Sequence, residues 1–265
     1  MIIIGELINT SRKPIKAAVE GRDADYIQEV ARKEVEAGVT YVDVNAGTMV
    51  YNEPEVLAWL VETVQSAVDV PLCIDSPNPK ALKAALKVHR GQAIVNSITA
   101  EKERYENVLP LIVKSNSRVV ALCMDDTGMP ETAAQRIAIA DVLAKGLLSA
   151  GIKAEDIFFD PLVKPVSVNT NFGTEVLDAI RQIHQKFQGV HTTCGLSNIS
   201  FGLPHRKLLN QAFLVLCMAN SMDSVIMDPL DKTMMSLLIA SKTLLGRDEY
   251  CMEYLNSYRE GRQTT

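Results

Sequence analysis

The sequence predicts an α/β fold: a closed (β/α)8 TIM barrel with an extra C-terminal helix. Three observations carry this. Eight short β-branched runs alternate with eight longer amphipathic runs. They recur at roughly 30 residues per unit, the size of a parallel βαβ element. The length, 265 residues, is what eight such units need. A doubly wound open sheet is the alternative, but the glycine-rich phosphate turn of that fold is missing. No linker, low-complexity segment or charge block divides the chain, so residues 1–265 are expected to form a single domain.

The elements follow in order. A first strand is predicted over 2–4, with a helix over 23–37 whose Ile27, Val30, Ala31 and Val35 share a face and whose end is marked by Gly38. Next come a strand at 41–44 and a helix from Pro54, a residue suited to a first helical turn. Strands at 71–74, 93–95 and 118–123 are followed by helices over 78–88, 101–115 and 131–149. A sixth strand at 156–159 leads to a helix over 173–187, and a seventh at 190–193 to an apolar helix over 204–220. The eighth strand, 224–227, precedes a helix over 231–244, and a last helix, 247–258, has no strand before it.

Composition narrows the function. The net charge of −5 and only 5% aromatics argue against nucleic acid, which needs a clustered basic surface and stacking platforms. The longest dense apolar run, 212–219, is far too short to span a bilayer. The opening Met1-Ile2-Ile3-Ile4-Gly5-Glu6 lacks the basic flank of a secretion signal. Five Cys without a CxxC fit free thiols in a reducing cytoplasm.

In a barrel of this kind the site lies at the C-terminal ends of the strands. Those ends carry Glu6 and Asn9, Asp43 and Asn45, Asp75-Ser76, Asn96-Ser97, Asp125-Asp126, Asp160, Ser197-Asn198 and Asp228. Any one of them could be a helix cap or turn residue. As a ring they are harder to explain so, because Asp75, Asn96 and Asp160 directly follow apolar runs and so point into the barrel mouth. Carboxylates and amides offer paired acceptors and donors, which suit a flat heterocycle with a dense hydrogen-bonding edge such as a pterin. They could also hold a hard cation, but they form no tight local cluster, and no protein-bound metal is expected.

Missing motifs matter as well. HExxH, GxSxG and the phosphate-binding GxxxxGK[ST] are all absent. His191 and Cys194 stand at a ligand-like spacing, but along a strand their side chains fall on opposite faces, which reads as structural. With no nucleophilic constellation, the chemistry is expected to belong to bound groups that the protein positions.

Ile4-Gly5-Glu6-Leu7-Ile8-Asn9, Val42-Asp43-Val44-Asn45, Cys73-Ile74-Asp75-Ser76, Val95-Asn96-Ser97, Phe159-Asp160-Pro161-Leu162 and Gly195-Leu196-Ser197-Asn198-Ile199-Ser200 occur in this order along the chain. Together they resemble the methyltetrahydrofolate:corrinoid-protein methyltransferases, pterin-binding barrels related to the folate module of cobalamin-dependent methionine synthase. The resemblance implies 5-methyltetrahydrofolate or tetrahydrofolate as substrate, and a corrinoid protein that docks at the barrel mouth and carries the cobalt. It further implies that Asp75, Asn96 and Asp160, supported by Asp43, Ser197 and Gly195, hold the pterin. Asn198 would then hydrogen-bond near the ring nitrogen that bears the methyl, giving the leaving amine a donor that strengthens as charge develops. Arg12, Lys164 and Arg206 are candidates for the folate tail or partner.

The chain departs from the family pattern at Phe201, where a polar pair is common, and at Leu7, where an arginine is common. Phe201 is therefore a candidate partner contact. Two further readings stay open: a dihydropteroate synthase-like enzyme, although the seventh strand end lacks that family's cationic sequence, and a non-catalytic folate-binding module of a larger complex. A homocysteine methyltransferase would need paired thiolates that are not present. The helix over 204–220 is apolar nearly all round, which predicts cover by the last helix or by a homodimer.

Overall fold

The period-two alternation of a strand decides whether each strand side chain faces the barrel interior or the surrounding helices. The computed structural model describes residues 1–264. Its strands are β1 (Ile2–Asn9), β2 (Tyr41–Asn45), β3 (Leu72–Asp75), β4 (Ile94–Ile98), β5 (Arg118–Leu122), β6 (Ile157–Asp160), β7 (His191–Thr192) and β8 (Ser224–Met227). All pair in parallel, in the order β7-β6-β5-β4-β3-β2-β1-β8. β7 and β8 complete the ring beyond the short β7: Ile226 N donates to Cys194 O at 3.0 Å, and Ser224 Oγ meets Thr193 Oγ1 at 3.3 Å.

The helices are α1 (Lys13–Glu20), α2 (Ala24–Glu36), α3 (Glu53–Gln65), α4 (Pro79–Val88), α5 (Lys102–Ser115), α6 (Ala133–Ser149), α7 (Phe172–Lys186), α8 (Arg206–Ala219), α9 (Lys232–Leu244) and α10 (Met252–Arg259). Their starts have local causes. Asp23 accepts from Tyr26 N at 3.1 Å to cap α2, and Thr132 with Gln135 forms a reciprocal capping box on α6. Gly38, at φ +96°, ends α2 as expected.

Three expectations need correction. β1 continues to Asn9, because a bulge between Gly5 and Ile8 lets the strand absorb Glu6 without losing its pairing to β2. α1 was not expected; it is a short helix with Pro14 in its first turn that buries only Ile15, Ala18 and Val19. The helix read over 247–258 is broken: Tyr250 and Cys251 take left-handed φ of 54° and 58°, so α10 begins only at Met252. α10 packs on α9, and Leu208, Leu209 and Leu216 of α8 remain exposed.

One apolar core lies between strands and helices, and a second fills the barrel interior. The second is built from Ile4, Tyr41, Cys73, Ile94, Val120 and Phe158, with Ile2 and Ile226 against it. His191 belongs at this level: its ring stacks on Phe158 at 4.6 Å, and its Nδ1 lies 2.6 Å from Asp223 Oδ2. Cys194 is fully buried, with its Sγ 3.7 Å from Met222 Sδ.

Candidate active site

Two residues beyond a member of the inner layer, the same face of the barrel presents the next layer up. From Ile4, Tyr41, Cys73, Ile94, Phe158 and Ile226 that step reaches Glu6, Asp43, Asp75, Asn96, Asp160 and Asp228, while above Val120 it reaches the apolar Leu122. The apolar plug of the barrel is thus roofed mostly by polar side chains. They form the floor of a cavity of about 820 Å³ at the strand C-termini.

Asp75 and Asn45 are ladder partners across β2 and β3. Asn45 Nδ2 donates to Asp75 Oδ2 at 2.7 Å, while Gly47 N donates to Asn45 Oδ1 at 2.8 Å. Burial pushes the Asp75 carboxyl up to about 6, against the pull of Asn45 and of the more distant Arg104. Arg104 joins the ends of β3 and β4, donating to Ser76 O at 2.9 Å and Ser97 O at 3.1 Å.

Asp160 is held by its own loop. Leu162 N donates to its Oδ1 at 2.8 Å, and the backbone at Gly195 also favours its ionised form. Arg136, fully buried in α6, donates to Pro161 O at 2.6 Å and Leu162 O at 3.2 Å, which fixes that loop from behind. Burial raises the Asp160 carboxyl to about 6.

Asp43 is buried deepest. Its Oδ1 has no hydrogen-bond partner among the described residues, and its carboxyl is raised by burial and then by Asp75. Glu6 is raised to about 7 by burial and by Asp228. Beneath the β1 bulge, Glu34 of α2 reaches in and accepts the Leu7 amide at 3.0 Å. It fits there because residue 5 is glycine: a Cβ would lie 2.3 Å from Glu34 Oε1. Burial raises Glu34 to about 8.

Asn198 sits on a 3-10 turn, Leu196–Ser200, whose Leu196 and Ile199 are buried. The Asn198 side chain is exposed to the cavity, and its Nδ2 would stand 3.1 Å from a Cβ on residue 195. Gly195 therefore leaves room for the amide.

The cavity walls include Asp43, Asp75, Asn96, Asp160, Gly195, Ser197, Asn198, Arg12 and Arg206, so the structure gathers these nine expected residues around one space. Lys164 and Phe201 are not part of that wall. Lys164 Nζ lies over the Phe172 ring at 4.3 Å and 3.3 Å from Glu131, and Phe201 is 64% exposed with Arg206 at 5.7 Å from its ring. Glu34, Arg104 and Arg136 escaped the sequence reading because each lies on a helix outside the barrel. The supporting role of Asn45 depends on strand register. No group of three or more His, Cys, Asp or Glu side chains among the described residues is arranged to hold a metal.

An unpartnered buried carboxylate oxygen at Asp43, beside carboxylates at Asp75 and Asp160 and an amide at Asn96, fits a planar ligand rich in N–H donors with carbonyl acceptors among them. Arg12, Arg206 and Lys207 give the same cavity cationic groups suited to a carboxylate tail.

Residues 5–228 match the family model described as pterin binding enzyme. The chain is 38% identical to a methylcorrinoid:tetrahydrofolate methyltransferase of Eubacterium limosum, over 99% of this chain and 97% of that one. It is 27% identical to methionine synthase of Mycobacterium leprae over 85% of this chain, spanning only 20% of that relative's length. Among solved structures it resembles the dihydropteroate synthases of Xanthomonas albilineans, in complex with 7,8-dihydropteroate, and of Vibrio fischeri ES114. The TM-scores are 0.67 and 0.68, each at 16% identity, covering 94% and 93% of both chains. At that identity the likeness concerns the fold alone.

Proposed function

The chain belongs to the family of pterin-binding enzymes, and from that premise we infer that it is a tetrahydrofolate-dependent methyltransferase, moving a methyl group between 5-methyltetrahydrofolate and the cobalt of a corrinoid protein. The observation that carries this reading is the roof of acceptors over the inner barrel layer, in a chain that matches a methylcorrinoid:tetrahydrofolate methyltransferase from end to end. The whole chain, 1–265, acts as one catalytic barrel domain.

In this reading Asp75, Asn96 and Asp160 hold the pterin edge, Asp43 completes the acceptor set, and Ser197 and Gly195 close the seventh side. A carboxylate that is raised by burial gains most from a ligand that brings its own N–H donors, because binding replaces the solvation it lost. Asn198 is the catalytic residue. Departure of methyl from the ring nitrogen leaves basic charge there, and a neutral amide cannot supply a proton at neutral pH. It can strengthen its hydrogen bond as that charge grows, an effect worth about 3–4 kcal/mol in a preorganised site. The proton itself exchanges with solvent through the polar walls. Arg12 and Arg206, at the mouth, face the folate tail. Lys164 and Phe201 flank the mouth, where the corrinoid protein would dock.

Further parts of the proposal rest on surface features. Exposed Leu208, Leu209 and Leu216 on α8 support a homodimer through that face. Five free cysteines support a cytoplasmic site of action, and no described helix is long and apolar enough to cross a membrane.

The test is direct. The protein is mixed with 5-methyltetrahydrofolate and a cobalt(I) corrinoid, and the cobalt absorbance is followed. Protein-dependent formation of methylcobalt is expected. Tight folate binding with no transfer would point instead to a binding module, and turnover of a dihydropterin pyrophosphate with p-aminobenzoate to a synthase.

A further inference from the structure

Asn198 is exposed, and among the described residues no hydrogen bond holds its side-chain amide, which is placed only by the turn it stands on. That turn is one of the weaker local structures, since 3-10 hydrogen bonds are poorly aligned and short runs of them fray. Its inner side is anchored by the buried Leu196 and Ile199, and Ile199 O accepts Val166 N at 3.0 Å. Ser197 and Ser200, which flank Asn198, have a different partner. Arg206 Nη2 donates to Ser197 O at 2.7 Å, and Arg206 Nε donates to Ser200 Oγ at 3.1 Å. Ser200 Oγ in turn donates to Ser197 O at 3.2 Å. One guanidinium therefore bridges the position before Asn198 and the position two after it, from the first residue of α8.

We propose that Arg206 is a positioning residue that acts through Asn198, its planar guanidinium locking the turn so that the amide faces the reacting nitrogen. The proposal rests on the donor role assigned to Asn198. It also revises the part given to Arg206 as a contact of the folate tail: two of its three nitrogens are already committed to the protein. A lysine cannot take its place, because a single ammonium does not span two acceptors in the fixed geometry of a guanidinium. Tail binding, by contrast, needs only the positive charge. The Phe201 ring, 5.7 Å from the guanidinium, covers its outer side.

The experiment is a double-mutant cycle of Arg206→Lys and Asn198→Ala, with kcat and KM measured for methyl transfer from 5-methyltetrahydrofolate to a cobalt(I) corrinoid. Substrate is supplied with its glutamate tail and as a tail-less methyltetrahydropterin. Arg206→Lys is expected to lower kcat by about 10- to 100-fold, the scale of a misplaced reacting group, and to leave KM within about threefold. The loss should be the same with either substrate. In the Asn198→Ala background the same change should cost less than about threefold, since residues acting as one unit are not additive. Ser200→Ala, which removes one acceptor of the clamp, should lower kcat in the same direction and guards against misfolding of an Arg206 variant; thermal melts confirm that each is folded. Additive losses, or a loss confined to KM that disappears with the tail-less substrate, would overturn the proposal. If Asn198→Ala alone leaves kcat unchanged, the donor role has failed rather than the clamp.

Discussion

Asn45 and Asp75 stand opposite each other in the β2–β3 ladder, and the amide of the first donates to the carboxylate of the second at 2.7 Å. The Gly47 amide fixes which way the Asn45 amide points. A strand residue with no expected contact to the ligand thus orients one that is expected to bind it. Asn45→Ala should weaken pterin binding by about tenfold, the worth of one hydrogen bond to a charged group. Titration calorimetry with tetrahydrofolate checks this; unchanged affinity would remove Asn45 from the account.

Asp160 is a case of function held against stability. Its carboxyl is raised from 3.8 to about 6 by burial. Asp160→Asn keeps an acceptor for the Leu162 amide and removes the buried charge. The free protein should therefore become more stable, by at most about 3 kcal/mol for a shift of this size. Pterin affinity should fall at the same time, and Asp160→Ala or Asp75→Ala should abolish measurable binding. Chemical denaturation and calorimetry on the same samples test both halves. Near-normal affinity in either alanine variant would refute the assignment of the acceptor ring.

The pH dependence has a definite sign. Asp75 and Asp160 are raised to about 6 and Glu6 to about 7, so the folded protein binds these protons more tightly than the unfolded chain. Stability of the ligand-free protein should rise as pH falls from about 7.5 through these values, and level off near pH 4, where unfolded carboxyls also protonate. Folate affinity should move the other way below pH 6, as the acceptors are lost. Melting temperatures across pH 5–7.5 decide the first point; a flat profile, or a fall on acidification, contradicts it.

Gly5 should tolerate no side chain. A Cβ there would meet Glu34 Oε1 at 2.3 Å, inside a wall where Glu34 is fully buried and cannot swing away. Gly5→Ala is expected to cost about 1–3 kcal/mol. Adding Glu34→Ala should cost less than the sum of the two changes, because the clash disappears. Urea denaturation of the three variants measures this, and strict additivity would show that Glu34 is not what Gly5 makes room for.

The barrel was legible because its period is written twice. Apolar pairs such as Ile94 with Val95 and Phe158 with Phe159 mark the strands, and the polar residue that ends the run falls on the inward face in β3, β4 and β6, though in β5 that position is Leu122. Asp75, Asn96 and Asp160 could therefore be placed in a common mouth from the sequence alone. β1 was cut short because Glu6 and Asn9 interrupt its apolar run, and the bulge that accommodates Glu6 leaves no sequence mark. The break at Tyr250 and Cys251 was hidden because neither residue is of the type that usually takes a left-handed φ. Supports from outside the barrel were beyond reach. Arg136 stands beside Ile137 in an unremarkable helical run, and only the fold shows its guanidinium beneath Pro161 and Leu162.

The central claim is that a neutral amide on a short turn assists methyl transfer between a folate nitrogen and cobalt. Single-turnover methyl transfer to a cobalt(I) corrinoid, followed by stopped-flow absorbance for the unchanged protein and for Asn198→Ala, tests it most directly. The account expects folate affinity within about tenfold and a transfer rate lower by about two to three orders of magnitude, the scale of losing one charge-stabilising donor. An Asn198→Ala protein that transfers methyl at the original rate would contradict it.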